Sequence, residues 1–367
     1  MIRRLLVTGG AGFIGSNFVH HWCSNYPNDK VIVLDALTYA GNRINIQKWE
    51  EQENFRFVRG DICNASLVKE LLQAEDINTI VHFAAESHVD RSILEPRTFA
   101  ETNVMGTLTL LDAFRDRWIS SSKSNHKSHN KSHNKPENYL FIHVSTDEVY
   151  GSLNPEDPAF TETTPLNPNS PYSASKAGSD HFVRAYHHTY NLPTIITNCS
   201  NNYGAYQFPE KLIPLMCINM LMGKPLPIYG DGKNVRDWLY VGDHCRALDV
   251  VINQGKAGET YNIGGNNEVE NIQLVQTLCN LMDELADNLP VTPCADLITF
   301  VKDRPGHDRR YAINASKMKY ELNWIPKVDI QSGLRLTAQW YLQNRDWWQP
   351  LLSVEYQRYY NQVYGDN

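Results

Sequence analysis

The stretch RLLVTGGAGFIGSNFVHHW, residues 4–22, decides the fold, because a glycine-rich turn joins two different apolar patterns in it. Residues 5–8 form a short apolar run typical of a buried strand, and the apolar spacing from Phe13 onward predicts a helix. The glycines fit two spacings, GxGxxG from Gly10 and GxxGxxG from Gly9. A turn without Cβ atoms lets the backbone approach a pyrophosphate, to which a helix N-terminus offers N–H groups. The stretch therefore predicts a phosphate-binding turn between strand and helix.

The next apolar run places an acid where a dinucleotide-binding fold needs one. KVIVLDA, residues 30–36, ends in Asp35, twenty positions after Gly15. An acid at this distance holds the hydroxyls of the adenosine ribose. Because it would repel a 2′-phosphate, it favours NAD over NADP. The alternative is an aspartate that serves only the turn.

The alternation of strands and helices continues through the first half of the chain. FRFVRGDI (55–62), TIVHFAAESH (79–88) and YLFIHVSTDE (139–148) are apolar runs that end in small or polar residues. This rhythm predicts an α/β protein with a Rossmann-type doubly wound parallel sheet. Ligands of such sheets bind at the carboxyl ends of the strands. One crevice is therefore expected to collect Asp61, Ala84, Ala85, Glu86, Ser87, Thr146, Asp147 and Glu148.

Length and composition predict two coupled lobes, since 367 residues are many for one core. Residues 1–200 are expected to form the NAD-binding domain, and 234–255 to rejoin it. Residues 201–367, rich in Pro, Gly and Asn, are expected to form a smaller, loop-rich C-terminal substrate lobe. The KSHN repeats at 120–137 predict a flexible insertion. Their histidines lack cysteine or acidic partners, so no metal site is expected.

Charge and cysteine content narrow the class of protein. The formal charge of −7 opposes binding to nucleic acid, whose phosphates it would repel. Seven scattered cysteines fit reduced thiols in a cytosol better than a disulfide framework. No stretch approaches the roughly 20 apolar residues of a membrane span. The expectation is a cytoplasmic protein that binds neither nucleic acid nor membrane.

Tyr172 and Lys176 form a candidate catalytic pair in PYSASKAGSDHFVRAYHHTY, residues 171–190. They lie four residues apart at the start of a predicted helix, and therefore on one face. A tyrosine is a poor base at its reference pKa near 10, but a nearby ammonium stabilises the phenolate and draws that pKa toward neutrality. YxxxK also occurs in helices by chance, so the preceding dinucleotide fold is what favours catalysis here.

These motifs carry a family resemblance. TGGAGFIG, Asp35, Thr146 and the Tyr172–Lys176 pair resemble the extended short-chain dehydrogenase/reductase superfamily. More specific stretches resemble the dTDP-glucose 4,6-dehydratase family from end to end: FAAESHVDRS, ETNVMGT, STDEVYG, PYSASKA, NCSNNYGAYQFPEKLIP, PIYGDGKNVRDWLYVGDHC, YNIGG and DRPGHDRRYAI. The KSHN insertion lies outside the resemblance, and Ala205 replaces the proline that is common in the family.

The resemblance implies conversion of dTDP-glucose to dTDP-4-keto-6-deoxyglucose with tightly held NAD, for deoxysugars of a surface glycan. Tyr172 would take the C4 hydroxyl proton, with Thr146 on the same oxygen and Lys176 stabilising the phenolate. Glu148 would remove the C5 proton, and Asp147 in its acid form would protonate the departing C6 hydroxyl. Neighbouring carboxyls suit such opposite roles, since like charges raise one pKa. The alternative for both is a solvated loop, with Asp147 as a helix cap.

The resemblance also implies the binding residues and a homodimer. Those expected at the cofactor are Gly9, Gly12, Phe13, Ile14, Gly15, Asp35, Ala36, Leu37, Thr38, Asp61, Ile62, Phe83, Ala84, Ala85, Glu86, Ser87, Thr102, Tyr172, Lys176 and Asn202. Those expected at the nucleotide sugar are Ser87, Thr146, Asn201, Lys211, Leu212, Pro227, Ile228, Tyr229, Arg236, Asn271, Asp303, Arg304, Pro305, Gly306, His307 and Tyr364. Arg236 and Arg304 suit a pyrophosphate, or alternatively structural ion pairs. Helices within 98–114 and 173–190 are the candidates for dimer contacts.

Three other functions compete with this hypothesis. A nucleotide-sugar 4-epimerase shares the cofactor site and the Tyr–Lys pair but has no step for Asp147 and Glu148. A dehydratase of GDP- or UDP-sugars would keep an acid at position 148 and usually differ at 147. A non-catalytic NAD-sensing protein would be expected to have lost Tyr172 or Lys176, and both are present.

Overall fold

A parallel β-sheet organises the chain, for which a computed structural model describes residues 2–125, 139–353, 356–358, 360 and 364. The strands are β1 Arg4–Thr8, β2 Lys30–Asp35, β3 Phe55–Arg59, β4 Thr79–His82, β5 Leu140–Thr146, β6 Thr194–Cys199, β7 Asn201–Tyr203, β8 Leu226–Tyr229, β9 Val235–Tyr240, β10 Thr260–Ile263, β11 Glu268–Glu270 and β12 Ile298–Val301. Seven parallel strands form one sheet in the order β10-β6-β5-β4-β1-β2-β3. The predicted Rossmann-type sheet is confirmed, with its switch point between β1 and β4.

Helices lie between these strands, alternating with them most regularly in the first half of the chain. They are α1 Phe13–Asn25, α2 Ala65–Ala74, α3 Val89–Leu94, α4 Pro96–Phe99, α5 Thr107–Asn125, α6 Pro171–Tyr190, α7 Leu212–Met222, α8 Val241–Gln254, α9 Asn271–Leu285, α10 Ser316–Leu322, α11 Ile330–Gln343 and α12 Arg345–Trp348. A π-helix, Ala100–Gly106, joins α4 to α5. Every helix in the described part of the chain is too short or too polar to cross a bilayer.

Both faces of the large sheet are covered, which explains the continuous apolar runs of its strands. In β1, Leu5 and Val7 pack with Phe18 and Trp22 of α1 on one face. Leu6 packs on the opposite face, in the core that α2 and α5 complete. The turn after β1 is thereby fixed between two packed layers.

The second half of the chain builds its own core beside the sheet. Helices α7, α9 and α11 pack together in it, so this smaller lobe contains substantial helices besides its long loops. β11, β9 and β7 form a three-stranded sheet, and β12 pairs with β8. The lobe is therefore anchored by two small sheets.

The two halves interleave more than the sequence predicts. In the segment 234–255, β9 joins the small sheet, while α8 packs against α1 of the first half. β10 then pairs in parallel with β6 at the edge of the large sheet, and α10 packs against β10. The division at residue 200 remains a prediction, since elements beyond it complete the first layer.

The insertion predicted at 120–137 begins later than expected. α5 continues beyond its apolar segment to Asn125, so residues 120–125 of the predicted insertion are helical. Residues 126–138, which carry most of the KSHN repeats and their histidines, lie outside the described residues.

Candidate active site

The glycine turn lies against the sheet so closely that side chains are excluded. Gly9 has a φ of +68°, and a Cβ there would lie 2.6 Å from the Ala84 backbone nitrogen. A Cβ on Gly15 would lie 2.2 Å from the carbonyl oxygen of Gly9. Gly12 is the N-cap of α1 and has no side chain to cap the helix. The first N–H groups of α1 are therefore available to an anion.

Asp35 ends β2 at the same edge of the sheet. Its Oδ2 accepts a hydrogen bond from the Ala11 N–H at 2.9 Å, and its Oδ1 from the Leu37 N–H at 2.8 Å. Burial raises the pKa of this carboxyl, and the two N–H donors oppose the rise. A Cβ on Gly41 would lie 2.8 Å from Oδ1, so the glycine leaves the carboxylate uncovered.

A cavity of about 310 Å³ follows the carboxyl ends of the strands. Nearly all the residues expected at the cofactor line it; Leu37 does not. The lining members are Gly9, Gly12, Phe13, Ile14, Gly15, Asp35, Ala36, Thr38, Asp61, Ile62, Phe83, Ala84, Ala85, Glu86, Ser87, Thr102, Tyr172, Lys176 and Asn202. The structure thus brings together residues that span most of the first 200 positions.

Sequence reasoning missed several residues that line this cavity. Gly60, Ser145 and Ser200 directly adjoin predicted positions at strand ends, which was a signal available in the sequence, and Cys199 precedes Ser200. Gln207, Phe208 and Glu210 come from the loop after β7, where no periodic pattern marks them. Helix-and-strand periodicity cannot find positions that a loop delivers.

The strand end that carries Thr146 is shaped by its own hydroxyl. The Thr146 Oγ1 accepts a hydrogen bond from the Glu148 N–H at 3.3 Å and starts a 3₁₀ turn, Asp147–Tyr150. The threonine, and not Asp147, is therefore the N-cap of this turn. Thr146 and Glu148 line the cavity, whereas Asp147 is 1% exposed behind them.

The start of α6 is fixed by a capping box. Ser170 and Ser173 each bind the other's backbone N–H, and Pro171 occupies the first turn. Tyr172 and Lys176 follow on one face, and both line the cavity. Thr146, Glu148, Tyr172 and Lys176 thus meet at one edge of the sheet, whereas Asp147, which was expected in the same crevice, does not line the cavity.

The environment of Tyr172 differs from the sequence expectation. Burial raises its pKa well above the usual value, the charge of Glu148 raises it further, and the Thr146 hydroxyl acts in the opposite direction. Lys176 donates from Nζ to the Val144 carbonyl oxygen at 2.9 Å, and burial lowers its pKa. The desolvation of Tyr172 therefore outweighs the lowering of its pKa that was expected from the Lys176 ammonium.

The two neighbouring acids lie in unlike surroundings. Burial raises the pKa of Asp147 well above its usual value, and the charges of Glu148 and Asp237 add to the rise. Burial also raises the pKa of Glu148, but Arg304, Arg236 and Lys211 oppose it. The surroundings thus favour the protonated form of Asp147 more strongly than that of Glu148, which faces positive charge.

Of the arginines expected at a pyrophosphate, Arg236 is buried and Arg304 is half-buried. Arg236 donates to the carbonyl oxygens of Val235 and Asp308 at 2.8 and 2.9 Å, and its guanidinium lies 4.3 Å from the Tyr311 ring centroid. Arg304 donates to the Asp90 carboxylate at 2.9 Å, so the ion pair considered as an alternative does form. An anionic ligand would share Arg304 with Asp90.

The residues expected at the nucleotide sugar divide into two groups. Ser87, Thr146, Asn201 and Lys211 line the cavity. The remainder lie outside its lining, in the second lobe: Leu212, Pro227, Ile228, Tyr229, Arg236, Asn271, Asp303, Arg304, Pro305, Gly306, His307 and Tyr364.

Several of the second group nevertheless cluster around Tyr229. Its hydroxyl donates to Asp90 at 3.2 Å, and its ring centroid lies 5.7 Å from that of Tyr364 and 5.9 Å from that of His307. His307 lies 2.5 Å from Asp303, and burial lowers its pKa to about 4. Asp90 thus connects this aromatic group to Arg304.

Fold and site together define a dinucleotide-binding α/β protein with a short-chain dehydrogenase/reductase type of Tyr–Lys pair. A sequence model described as GDP-mannose 4,6 dehydratase matches residues 6–337. The dTDP-glucose 4,6-dehydratase of Xanthomonas campestris is 54% identical over 351 residues, covering 96% of each chain. The chain therefore belongs to the dTDP-glucose 4,6-dehydratase family.

Solved structures agree with this assignment. The dTDP-glucose 4,6-dehydratase of Streptomyces venezuelae, solved with NAD and dTDP bound, is 48% identical, with a TM-score of 0.84 over 95% of this chain and 99% of that one. The UDP-glucose 4-epimerase of Thermus thermophilus, solved with NAD, is 27% identical, with a TM-score of 0.78 over 93% and 99%. The similarity is thus greater to the dehydratase than to the epimerase.

Proposed function

We propose that the protein is an NAD-dependent dTDP-glucose 4,6-dehydratase, which removes water from dTDP-glucose to give dTDP-4-keto-6-deoxyglucose. The observation that carries the proposal is the pair Asp147 and Glu148, one fully buried with a raised pKa and the other facing cations, close to Tyr172 and Lys176. Relatives that are half identical over nearly the whole chain bear the same activity in their names.

The cavity fits NAD on its own geometry. The glycines let α1 begin close against the sheet with its first N–H groups open to a pyrophosphate, and the Asp35 carboxylate at the cavity suits a ribose diol. Gly12 and the first turn of α1 would hold the phosphates, with Tyr172 and Lys176 at the other end. When bound, NAD accepts hydride from C4 of the sugar and later returns it to C6.

The chain's own groups supply the proton transfers. Tyr172 acts as a phenolate, which Lys176 stabilises, and takes the proton of the C4 hydroxyl, while Thr146 donates a hydrogen bond to the same oxygen. The C4 ketone acidifies the proton on C5, which Glu148 removes as a carboxylate. Asp147 delivers its proton to the C6 hydroxyl, which leaves as water. The raised pKa of Asp147 keeps that proton in place until elimination.

Cations and aromatic rings in the second lobe are proposed to hold the nucleotide. Arg236 and Arg304 would contact the diphosphate, and Tyr229 and Tyr364, whose centroids lie 5.7 Å apart, would lie beside the base. The boundary between an NAD-binding domain, 1–200, and a nucleotide-sugar-binding lobe, 201–367, is part of this proposal. It is supported by the separate core of α7, α9 and α11.

A cytoplasmic homodimer is proposed as the working form, supported by exposed apolar side chains on the helices that the sequence marks for dimer contacts. Met105 of the π-helix is 54% exposed, and Phe182 of α6 is 38% exposed. The π-helix packs against α6, so the two positions belong to neighbouring elements. All seven cysteines are free thiols, as a reducing compartment would keep them.

The 4-epimerase is the second candidate, because an epimerase shares the fold at 27% identity. Incubation with dTDP-, UDP-, CDP- and GDP-glucose in heavy water separates the two activities. A 4-keto-6-deoxy product from the dTDP sugar, with deuterium at C5, is expected. Inversion at C4 without deuterium would overturn the proposal in favour of the epimerase, and preference for another nucleotide would correct the substrate.

A further inference from the structure

Asp180 is a buried acid on α6 that the proposed proton transfers do not use. It is 5% exposed and lies four residues after Lys176, hence one turn further along the same face. Its Oδ2 accepts a hydrogen bond from the Ser145 hydroxyl at 3.0 Å and one from the Asn198 amide at 3.4 Å. A charged carboxyl at such depth is unfavourable unless other groups compensate for it.

Asp180 and Lys176 reach the same strand end, Lys176 from the cavity lining and Asp180 from one turn further along α6. Lys176 donates from Nζ to the Val144 carbonyl oxygen at 2.9 Å, and Ser145, the next residue of β5, donates to Asp180. Asn198 of β6 donates both to Asp180 and to the carbonyl oxygen of Thr146, the latter at 3.1 Å. Asp180 therefore connects α6 to the ends of β5 and β6, where Thr146 enters the site.

The charges around the pair favour mutual stabilisation of Lys176 and Asp180. Burial lowers the pKa of Lys176, and Asp180 is the foremost group that opposes this, followed by Cys199 of β6. Burial raises the pKa of Asp180 to about 6, and Lys176 is the foremost group that opposes that rise. Each group thus favours the charged form of the other.

The other titratable groups that face the pair cannot take over this role. His143 of β5 has its Nε2 3.2 Å from Asp180, but burial and Lys176 hold its pKa well below the usual value, so it is neutral. His82 of β4 is neutral for the same reasons. His181, the neighbour of Asp180 on α6, is the last of the groups that lower the pKa of Asp180.

We propose that Asp180 is a positioning residue that acts through Lys176, supplying the buried negative charge that keeps the Lys176 ammonium charged at the cavity wall. The same carboxylate fixes the strand ends through Ser145 and Asn198. The role of Lys176 in this inference rests on the proposed function, whereas the coupling of the two charges exists without any substrate.

Carbon-13 NMR of the Asp180 carboxyl in the substrate-free protein tests the coupling directly. The signal, assigned by its loss in Asp180→Asn, is expected to titrate near pH 6. Lys176→Met removes the ammonium and should move the midpoint to higher pH by about one unit, a tenfold change in proton affinity. Lys176→Arg keeps the charge and should hold the midpoint near the wild-type value. An unchanged midpoint in Lys176→Met would overturn the proposal.

A kinetic experiment tests the consequence for the site. In Asp180→Asn the Lys176 ammonium loses its counter-charge and therefore gives up its proton at a lower pH. As pH rises, formation of reduced nicotinamide from dTDP-glucose should thus decline about one pH unit earlier than in wild type. Asp29→Asn is the matched control, since Asp29 is also buried but binds Arg3 and Trp22 away from the site. Equal pH profiles for Asp180→Asn and the control would contradict the proposal.

The two proposals fail in distinguishable ways. If wild-type protein dehydrates none of the four sugar nucleotides, the proposed function is wrong, and the NMR titration still decides the coupling. If Asp180→Asn does not fold, the signal is assigned instead by its movement in Ser145→Ala, and the shift in Lys176→Met and its absence in Lys176→Arg remain as the test. Ser145→Ala removes a donor that lowers the pKa of Asp180, so it should raise the midpoint.

Discussion

Two adjacent acids differ because the fold places them in different surroundings. The 3₁₀ turn after β5 directs Asp147 into the protein, where burial and the charge of Glu148 raise its pKa. Glu148 remains at the cavity, where Arg304, Arg236 and Lys211 favour its ionised form. The surroundings therefore favour the protonated form for Asp147 and oppose it for Glu148, one residue away.

The pH dependence of elimination follows from these shifts. Elimination needs Asp147 with its proton, so its rate should fall as pH rises through the elevated pKa of Asp147. On the acid side, the rate should fall as Glu148 is protonated, and burial moves that limb above the ordinary glutamate range. Rates of product formation from about pH 4, near the reference pKa values of Asp and Glu, to about pH 10 measure both limbs. A profile without either limb would contradict the assignment.

Asp147→Asn separates the catalytic role of this residue from its effect on stability. The amide cannot deliver a proton, so elimination should slow by roughly 10²- to 10⁴-fold. The pKa of Asp147 is higher in the folded protein than in the unfolded chain. As pH rises above the unfolded-state pKa, ionisation of this carboxyl favours the unfolded chain and so destabilises the fold. The variant should therefore unfold at a higher temperature than wild type at neutral pH. Lower thermal stability would show that the carboxyl is better accommodated than its burial indicates.

Sequence reasoning identified the individual residues of the site better than their protonation. Tyr172, Lys176, Thr146 and Glu148 line one cavity because strand ends and a helix start bring them there, as the motifs predict. The Tyr172–Lys176 motif predicted a lowered pKa for Tyr172, but burial raises it. The extent of burial depends on the whole fold and has no local sequence signal.

Among the elements, the unit of β1, its glycine turn and α1 has the most specific sequence requirement, because there is no room for a side chain at Gly15. Gly15→Ala would place a methyl group 2.2 Å from the Gly9 carbonyl oxygen, so α1 must move away from β1. Such overpacking destabilises by about 1–3 kcal/mol, and NAD retained on purification should fall. Calorimetry and the nicotinamide content per chain measure the two effects.

The control for this substitution is Gly178→Ala in α6. A Cβ at Gly178 meets a flexible methyl group of Val104 at 3.3 Å, and alanine is the better helix former. This variant should retain wild-type stability and cofactor content. Equal NAD retention in both variants would contradict the proposed phosphate turn.

Elements with long apolar runs were predictable, and those defined by distant pairing were not. β1 to β5, α1 and α6 follow from local periodicity and glycine or proline signals. β10 has only four residues, and its parallel pairing with β6 joins positions more than sixty residues apart. The π-helix at Ala100–Gly106 needs a local departure from α-helical hydrogen bonding, which side-chain spacing does not reveal.

For the whole molecule, the exposed apolar side chains of the π-helix and α6 predict association. Met105→Glu combined with Phe182→Glu would place two carboxylates in the proposed contact and should convert a dimer into a monomer of 42.0 kDa. Light scattering measures the mass. Tyr320→Glu is the control, because Tyr320 is 80% exposed on α10, outside the proposed contact, and its substitution should leave the dimer intact. A wild-type mass of 42.0 kDa would contradict the dimer.

The arrangement of the two lobes was predictable only in outline. Length and composition indicate a second lobe, but the return of α8, β10 and α10 to the first layer arises from packing between distant segments. The residues expected at the nucleotide sugar were predicted from the family resemblance and not from local patterns. Most of them lie outside the cavity at the carboxyl ends of the strands.

The central claim is that the adjacent acids carry out elimination, and a single turnover of Glu148→Gln tests it most directly. Without the C5 base, oxidation at C4 should proceed and elimination should stall, so reduced nicotinamide should accumulate on the protein. The sugar recovered from heavy water should carry no deuterium at C5. Glu156→Gln, at an exposed position, is the control and should turn over normally. Normal turnover of Glu148→Gln, with deuterium at C5 of the product, would contradict the account.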